Sequence, residues 1–429
     1  MNIKRSEVPF ALLMFAYFFA VIAAFWILKP LKKGLFIEYY DAEGLALLGW
    51  HLRASQAELL AKVMNMVVAF FAMAVFSTLS TRFRRQELTL VFVIFLQLCH
   101  VAFALTLGDP TGPVVWAFYL FGDLFNMLMV ASFFAFLNDS VRPEQAKRLY
   151  GLIVLGGVLG GVFGATVVRA WIGLLTPDLW MLVIFAAGTG IGALAVAAGI
   201  IVDKRPVGLG AWKREEVARE GGGAMEGIRL VFQSRYLLSI AAIVGVYEVV
   251  STLVDFQFTE TVSSHLNGPS ISEFFSTVYL ITNFVSMGVQ LLLTGFVMSR
   301  FGLVKALLVL PVALLLASAG FLTIPILLTG GILSVADNGL NYSINQSARE
   351  TLYVPTGAAE KYRAKAFIDI FGQRFAKTAG IFIVLGLSML LHARWLSIVT
   401  VVLLALWMGI ARYAGKRFDD KAKKEEEGR

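Results

Sequence analysis

About twelve stretches of this chain each run close to 20 residues with hardly a charged side chain inside them, and that pattern limits the fold more than anything else in the sequence. A hydrocarbon layer roughly 30 Å thick is crossed by about 20 residues of helix. The first six runs lie at 8–29, 57–79, 88–107, 113–137, 148–175 and 179–202. The second six lie at 236–258, 273–298, 302–321, 323–348, 364–391 and 395–413. They are continuously apolar and do not alternate, and lipid offers no water to an unpaired backbone group, so helices are the only spanning element available. Charged residues make up 15% of the chain and hydrophobic ones 58%, against roughly 25% charged in a soluble domain. An ordinary soluble enzyme is excluded. The expected fold is an all-α polytopic membrane protein.

The net charge of +8 would suggest nucleic acid in a soluble protein, but its distribution explains it by topology. Most of the 37 lysines and arginines fall in segments on one side: Lys4 and Arg5, Arg82 to Arg85, Arg142 to Arg148, Lys204 to Arg235, Arg300 to Lys305, Arg349 to Lys365, and Arg412 to Arg429. The positive-inside rule places that side, and both termini, in the cytoplasm. A bacterial inner membrane is the expected location, with the bilayer as partner and no nucleic acid. The first apolar run follows Lys4 and Arg5 without a small-residue cleavage box, so it is expected to remain in the protein. The single cysteine, Cys99, excludes a disulfide framework, and His51, His100, His265 and His392 have no ligand spacing. Neither a metal nor a cofactor is expected.

The two halves repeat. Thr81-Arg82-Phe83 matches Ser299-Arg300-Phe301, Asp123 matches Asp337, and Glu144 to Arg148 matches Glu360 to Lys365, all at nearly one offset. A polar linker separates them. The expected organisation is a six-helix bundle over 1–202, a cytoplasmic linker over 203–235, a second bundle over 236–414 and a charged cytoplasmic tail over 415–429. Duplicated bundles of this kind are typical of carriers that rock two halves about a midplane site.

Ionisable residues inside spans are costly, so each is a functional candidate. Lys29, Lys32 and Lys33 surround Pro30 at the end of the first run. They form either a cationic clamp on a loosened helix or the snorkelling end of a shorter one. The repeat favours depth, because Lys32 corresponds to Glu248, which lies near the middle of the seventh span. Asp123 is similarly deep, with Asn126 on the same face. Lys377 falls mid-span in the eleventh run with Arg374 one turn before it, and Asp369 is its alternative structural partner. Asp255 and Asp337 are weaker candidates, each able to pair with a basic neighbour. Arg169 and Lys62 lie near span ends and are expected to snorkel. Gly151, Gly156, Gly157, Gly160, Gly161 and Gly164 form a small-residue face suited to close helix packing. No phosphate-loop motif and no nucleophile–base set accompanies them. No catalytic residues are assigned, and no enzyme activity is expected. Asp139, Arg148, Arg349, Glu350 and Lys365 occupy matching loops of the two halves and are candidates for a cytoplasmic gate.

At these residues the chain resembles the ATP/ADP translocase family of plastids and intracellular bacteria, which is distinct from the mitochondrial carriers. The resemblance rests on four segments: Leu28 to Lys33; Asp123-Leu124-Phe125 continuing through Phe134 to Asp139 and Glu144 to Gly151; Tyr247 to Val250; and Ala348 to Pro355 with Lys365 to Asp369 and Ala376-Lys377. It implies a major-facilitator-like architecture and transport of nucleotides. It also implies essential lysines at Lys32 and Lys377 and essential acids at Asp123 and Glu248. Asp123 stands where the family commonly has Glu, and Lys33 where it commonly has Asp.

The resulting expectation is a monomeric exchanger of ATP and ADP, or of another phosphorylated anion, working by alternating access. Lys32, Asp123, Glu248, Lys377, Lys29 and Arg374 are its expected substrate-binding residues. The competing readings are a proton-coupled facilitator or efflux carrier for a different solute, with Glu248 or Asp123 as its proton site, and a non-transporting membrane scaffold.

Overall fold

The computed structural model describes residues 5–47, 49–83, 85–141, 143–203, 224–356 and 364–427. Most of the linker and residues 357–363 of the second loop therefore lie outside the described residues. So does the side chain of Arg148. The described chain is almost wholly helical, and helices long and apolar enough to span a membrane recur along it.

In the first half α1 runs Val8–Asp41, α2 Ala54–Arg82, α3 Arg85–Thr106, α4 Gly112–Ser140, α5 Pro143–Trp171 and α6 Pro177–Asp203. In the second half a short amphipathic α7, Ala224–Gln233, precedes α8, Arg235–His265. Then come α9 (Pro269–Gly288), α10 (Thr294–Thr323), α11 (Leu327–Leu340), α12 (Gln346–Leu352), α13 (Gln373–Leu390) and α14 (Ala393–Glu427). Among the described residues, π-helical turns lie in the second half at Val289–Leu293, Asn341–Asn345 and Ile368–Gly372. Such turns distort the regular ladder and often mark functional segments.

Several boundaries differ from the sequence expectation for identifiable reasons. The first span does not end at residue 29; α1 continues 12 residues further with Pro30 inside it. Its 34 residues span about 50 Å at 1.5 Å per residue, well beyond a bilayer core. Proline removes one backbone bond without ending a helix that neighbouring helices hold on every side. The eighth and ninth spans are separated by a single break at Gly302 (φ +79°), a conformation open to glycine and costly for other residues. The charged tail is not loose chain, since α14 continues to Glu427. A hairpin that apolar periodicity did not reveal pairs Leu45–Leu47 (β1) with Trp50–Leu52 (β2), turning at Gly49 (φ +83°).

The chain forms two compact units, which do not coincide with the two sequence halves. One comprises 1–44, 61–220 and 267–283; the other comprises 45–60, 221–266 and 284–429. Thus each half lends a short segment to the unit built mainly from the other.

In the first unit α1 is surrounded, burying residues such as Phe10, Tyr17, Leu28 and Phe36 on different faces. Its closest approach is to α5. Cβ atoms added at Gly156, Gly160 and Gly164 would run into the carbonyl groups of Phe15, Phe19 and Ala23. The small-residue face therefore lets two backbones touch, as its spacing predicted. In the second unit α8 plays the surrounded role, with Ile240, Val244, Val250 and Phe258 buried. Large apolar side chains on other helices remain bare, including Phe70, Phe71, Leu98, Leu105, Leu292 and Phe375. An aqueous surface would not tolerate that density, whereas acyl chains do.

Candidate functional site

The first unit holds a charged pair in an otherwise apolar interior. The extension of α1 carries Lys32 alongside α4, where its ammonium pairs with the Asp123 carboxylate. The Lys32 side chain is 6% exposed and that of Asp123 44%, so the cation is enclosed while its partner faces open space. Asn65 of α2 donates its amide to the second Asp123 oxygen. The Lys32 ammonium also lies 4.6 Å from the centre of the Tyr119 ring, a cation–π position that partly replaces lost hydration. Gly122 makes room for the lysine stem, because a Cβ there would fall 2.5 Å from Lys32 Cδ.

The neighbouring lysines are also lined with aromatics. Lys29 Nζ is 4.4 Å from the Trp26 ring centre and 4.7 Å from that of Tyr279. Lys33, buried, is 5.2 Å from the Phe275 ring centre. None of these lysines sits at a helix end, so the shorter first helix does not hold. Arg169, near the end of α5, pairs with Glu273 at 3.3 Å.

The second unit places its acids differently. Glu248 on α8 is buried and accepts a hydrogen bond from the Gln373 amide at 2.6 Å. Asp337 on α11 is 1% exposed and accepts one from the Ser251 hydroxyl at 2.7 Å. Asp337 feels the charges of Asp255, Glu248 and Lys377. The Lys377 charge is the weakest of these influences, whereas Asp369, the expected alternative partner of Lys377, lies within reach of Lys365, Glu350 and Arg349. Lys377 and Arg374 are both exposed on α13.

Among the gate candidates, Glu350 and Lys365 form an ion pair. The Arg349 guanidinium stacks 5.5 Å from the Tyr247 ring centre. Asp139 is half-buried near the end of α4. The structure therefore joins Lys32 with Asp123, and Glu350 with Lys365. It leaves Lys32 in one compact unit and Glu248 and Lys377 in the other.

Sequence reasoning missed the supporting groups Asn65, Tyr119, Ser251 and Gln373. Asn65 was legible as a polar residue inside a span, and Gln373 as the residue one turn before Lys377. The aromatic partners carried no distinguishing signal among so many. Nor did the residues before and at the start of α2 that clasp α8. There Glu260 accepts from both the Arg53 guanidinium and the Ser55 hydroxyl, and Arg53 also reaches the Ser388 carbonyl at 3.2 Å.

A family model described as TLC ATP/ADP transporter matches two overlapping segments, residues 114–333 and 322–418, which together make up well over half of the chain. The chain belongs to this family. The matched segments contain Asp123, Glu248, Asp337, Arg374 and Lys377; Lys29 and Lys32 precede them. A relative from Chlamydia muridarum, named ADP,ATP carrier protein 1, is 25% identical over 346 residues, which cover 70% of this chain and 65% of the relative. The chloroplastic ADP,ATP carrier protein 1 of Arabidopsis thaliana is 22% identical over 362 residues, covering 75% and 58%. The chain thus spans less than two thirds of these relatives' own length. Among solved structures, the nucleoside transporter NupG superposes with a TM-score of 0.60 at 12% identity, covering 98% of this chain and 100% of that one. A D-xylose-proton symporter gives 0.59 at 12%, covering 96% and 97%. These likenesses show the fold alone, an all-α, major-facilitator-like bundle.

Proposed function

We propose that this TLC-family protein exchanges ATP and ADP, or closely related phosphorylated anions, across a membrane by alternating access. The observation that carries the reading is the Lys32–Asp123 pair: an enclosed ammonium held against a carboxylate that is itself half open. A phosphate group competes naturally for such a lysine, because an ammonium is a compact point charge with three donors. Asp123 then acts as a stand-in for phosphate when the carrier is empty and is displaced when it is loaded. Lys29, with its aromatic partners, adds charge beside Lys32. Exposed Lys377 and Arg374 supply the basic groups of the second half, and Glu248, oriented by Gln373, is available to nucleotide hydroxyl or amino groups.

On this reading each sequence half, 1–202 and 236–414, carries its own basic groups for an anionic substrate. Ion pairs to such groups strengthen where water is excluded. The Glu350–Lys365 ion pair, with Arg349 adjacent in sequence, serves as a cytoplasmic gate of the second half, and Asp139 is a gate residue of the first, with both termini on that side. The working unit is a monomer in a bacterial inner membrane.

The test is uptake of radiolabelled ATP into proteoliposomes preloaded with ADP. Wild-type protein is expected to exchange, and Lys32→Ala and Lys377→Ala to lose most of that activity. Near-normal exchange in both variants overturns the clamp, and absence of exchange by wild type with any adenine nucleotide overturns the substrate.

A further inference from the structure

We propose that the groove between α8 and α14 in the second unit binds an anionic phospholipid from the leaflet at the start of α8. Arg235 and Arg417 hold its headgroup phosphate, and one acyl chain lies along the groove. Nothing in this site depends on which solute the protein carries.

Two helices of opposite direction form it. The Tyr247 and Trp407 ring centres are 5.7 Å apart, while Tyr236, earlier on α8, meets the Lys421 ammonium, later on α14, at 5.0 Å. α8 and α14 are therefore antiparallel, and the start of α8 lies level with the charged end of α14. A groove of about 570 Å³ runs between them. Leu238 and Ala242 line it from α8, Leu406, Gly409 and Tyr413 line it from α14, and Arg235 stands at the end where α8 begins.

The floor of the groove suits a hydrocarbon chain. Small side chains leave the space open, and a Cβ added at Gly409 would meet no atom within 4 Å. Leu238, Leu406 and Tyr413 remain exposed along it. On helices long and apolar enough to cross a membrane, such side chains meet acyl chains. The Ser239 hydroxyl, which also lines the groove, donates to the Tyr236 carbonyl at 2.6 Å and so asks nothing of a ligand.

The mouth has the opposite chemistry. Arg235 and Arg417 are both exposed, and the Arg417 guanidinium lies 5.5 Å from the centre of the Tyr413 ring that lines the groove. Arg412 and Lys416 are exposed on the same stretch of α14, where basic residues outnumber Asp419 and Asp420. A guanidinium fork engages two phosphate oxygens at once, and basic groups at the membrane surface attract anionic lipid. The preceding α7 fixes the depth. It buries Val231 in the unit's core and leaves Arg229 and Phe232 exposed, a division suited to a helix lying in the headgroup plane. Floor and mouth together fit an amphiphile with a phosphate anion at one end and hydrocarbon at the other. Free phosphate matches the mouth alone, and a zwitterionic lipid brings a second cation to a mouth already basic.

The experiment uses full-length protein in detergent, depleted of lipid and mixed with phosphatidylglycerol or phosphatidylcholine of matched chains. Native mass spectrometry counts the lipid that stays bound. Wild type is expected to retain phosphatidylglycerol in preference. Arg235→Gln and Arg417→Gln are each expected to weaken its binding about fivefold, and together to erase the preference. Gly409→Leu keeps both arginines but fills the groove. It is expected to lose phosphatidylglycerol as well, with an unfolding midpoint no lower than wild type because the new side chain enters open space. Millimolar inorganic phosphate is expected to leave retention unchanged. Equal retention of the two lipids by wild type, unchanged retention in the double arginine variant or in Gly409→Leu, or displacement by phosphate each overturns the proposal. Should the double arginine variant not fold, Gly409→Leu decides it alone.

Discussion

Removing the two members of the Lys32–Asp123 pair one at a time should have very unequal consequences for stability. Taking one charge from a buried pair generally costs about 3–5 kcal/mol, because the remaining charge is stranded away from water. The two sides differ here, with Lys32 at 6% side-chain exposure and Asp123 at 44%. In Asp123→Ala the enclosed ammonium loses its carboxylate. The Tyr119 ring 4.6 Å away offsets about 1 kcal/mol of that loss, leaving a net cost of about 2–4 kcal/mol. In Lys32→Met a similar volume of apolar chain replaces the lysine stem, and Asp123 keeps the Asn65 amide and its access to water. That variant should cost only about 0–1 kcal/mol, the range of a solvent-exposed pair. The assay is thermal or denaturant unfolding of the purified protein for wild type, both single variants and the double variant, in one detergent. The expected order places Lys32→Met beside wild type, Asp123→Ala well below, and the double variant above Asp123→Ala, since the stranded charge has gone. Lys32→Met should nonetheless fail to exchange nucleotide, separating folding from transport. Equal destabilisation by the two single changes, or a double variant weaker than Asp123→Ala, would refute the claim that burial of the lysine sets the energetics.

Two further outcomes follow from the packing. Gly156→Ala would place a Cβ 2.5 Å from the Phe15 carbonyl oxygen and should cost about 1–3 kcal/mol by forcing α1 from α5. Gly190→Ala, with nothing within 4 Å, should be neutral or stabilising by up to about 1 kcal/mol through helix propensity; unfolding measurements on both variants check the contrast. Glu260→Ala should release the Arg53 and Ser55 side chains that clasp the start of α2 onto α8. Hydrogen exchange over residues 45–60 is then expected to quicken, with α5 unchanged. Equal protection in the variant would show that the clasp is not what holds the hairpin.

Much of the architecture was legible in the linear chain because lipid imposes one simple rule. Apolar runs of bilayer length must be helices, and a residue such as Gly156 on a small-residue face must pack closely. Depth within a run likewise marked Asp123, Glu248 and Lys377, and the repeat added Lys32, before any geometry was available. The repeat assigned Asp123 and Asp337 to equivalent places through their nearly constant offset. Tertiary structure decided what each of those charges meets. Periodicity cannot reveal that α1 continues through Pro30, because only surrounding helices hold it together there. It cannot show that Lys32 finds a carboxylate whereas the equivalent Glu248 finds an amide, since partners come from helices distant in sequence. Nor could it foresee that segments 45–60 and 267–283 join the units built from the opposite halves. Burial against lipid depends on a residue's own neighbours along the chain. Pairing depends on which helices pack side by side, and that becomes defined only once the chain is folded.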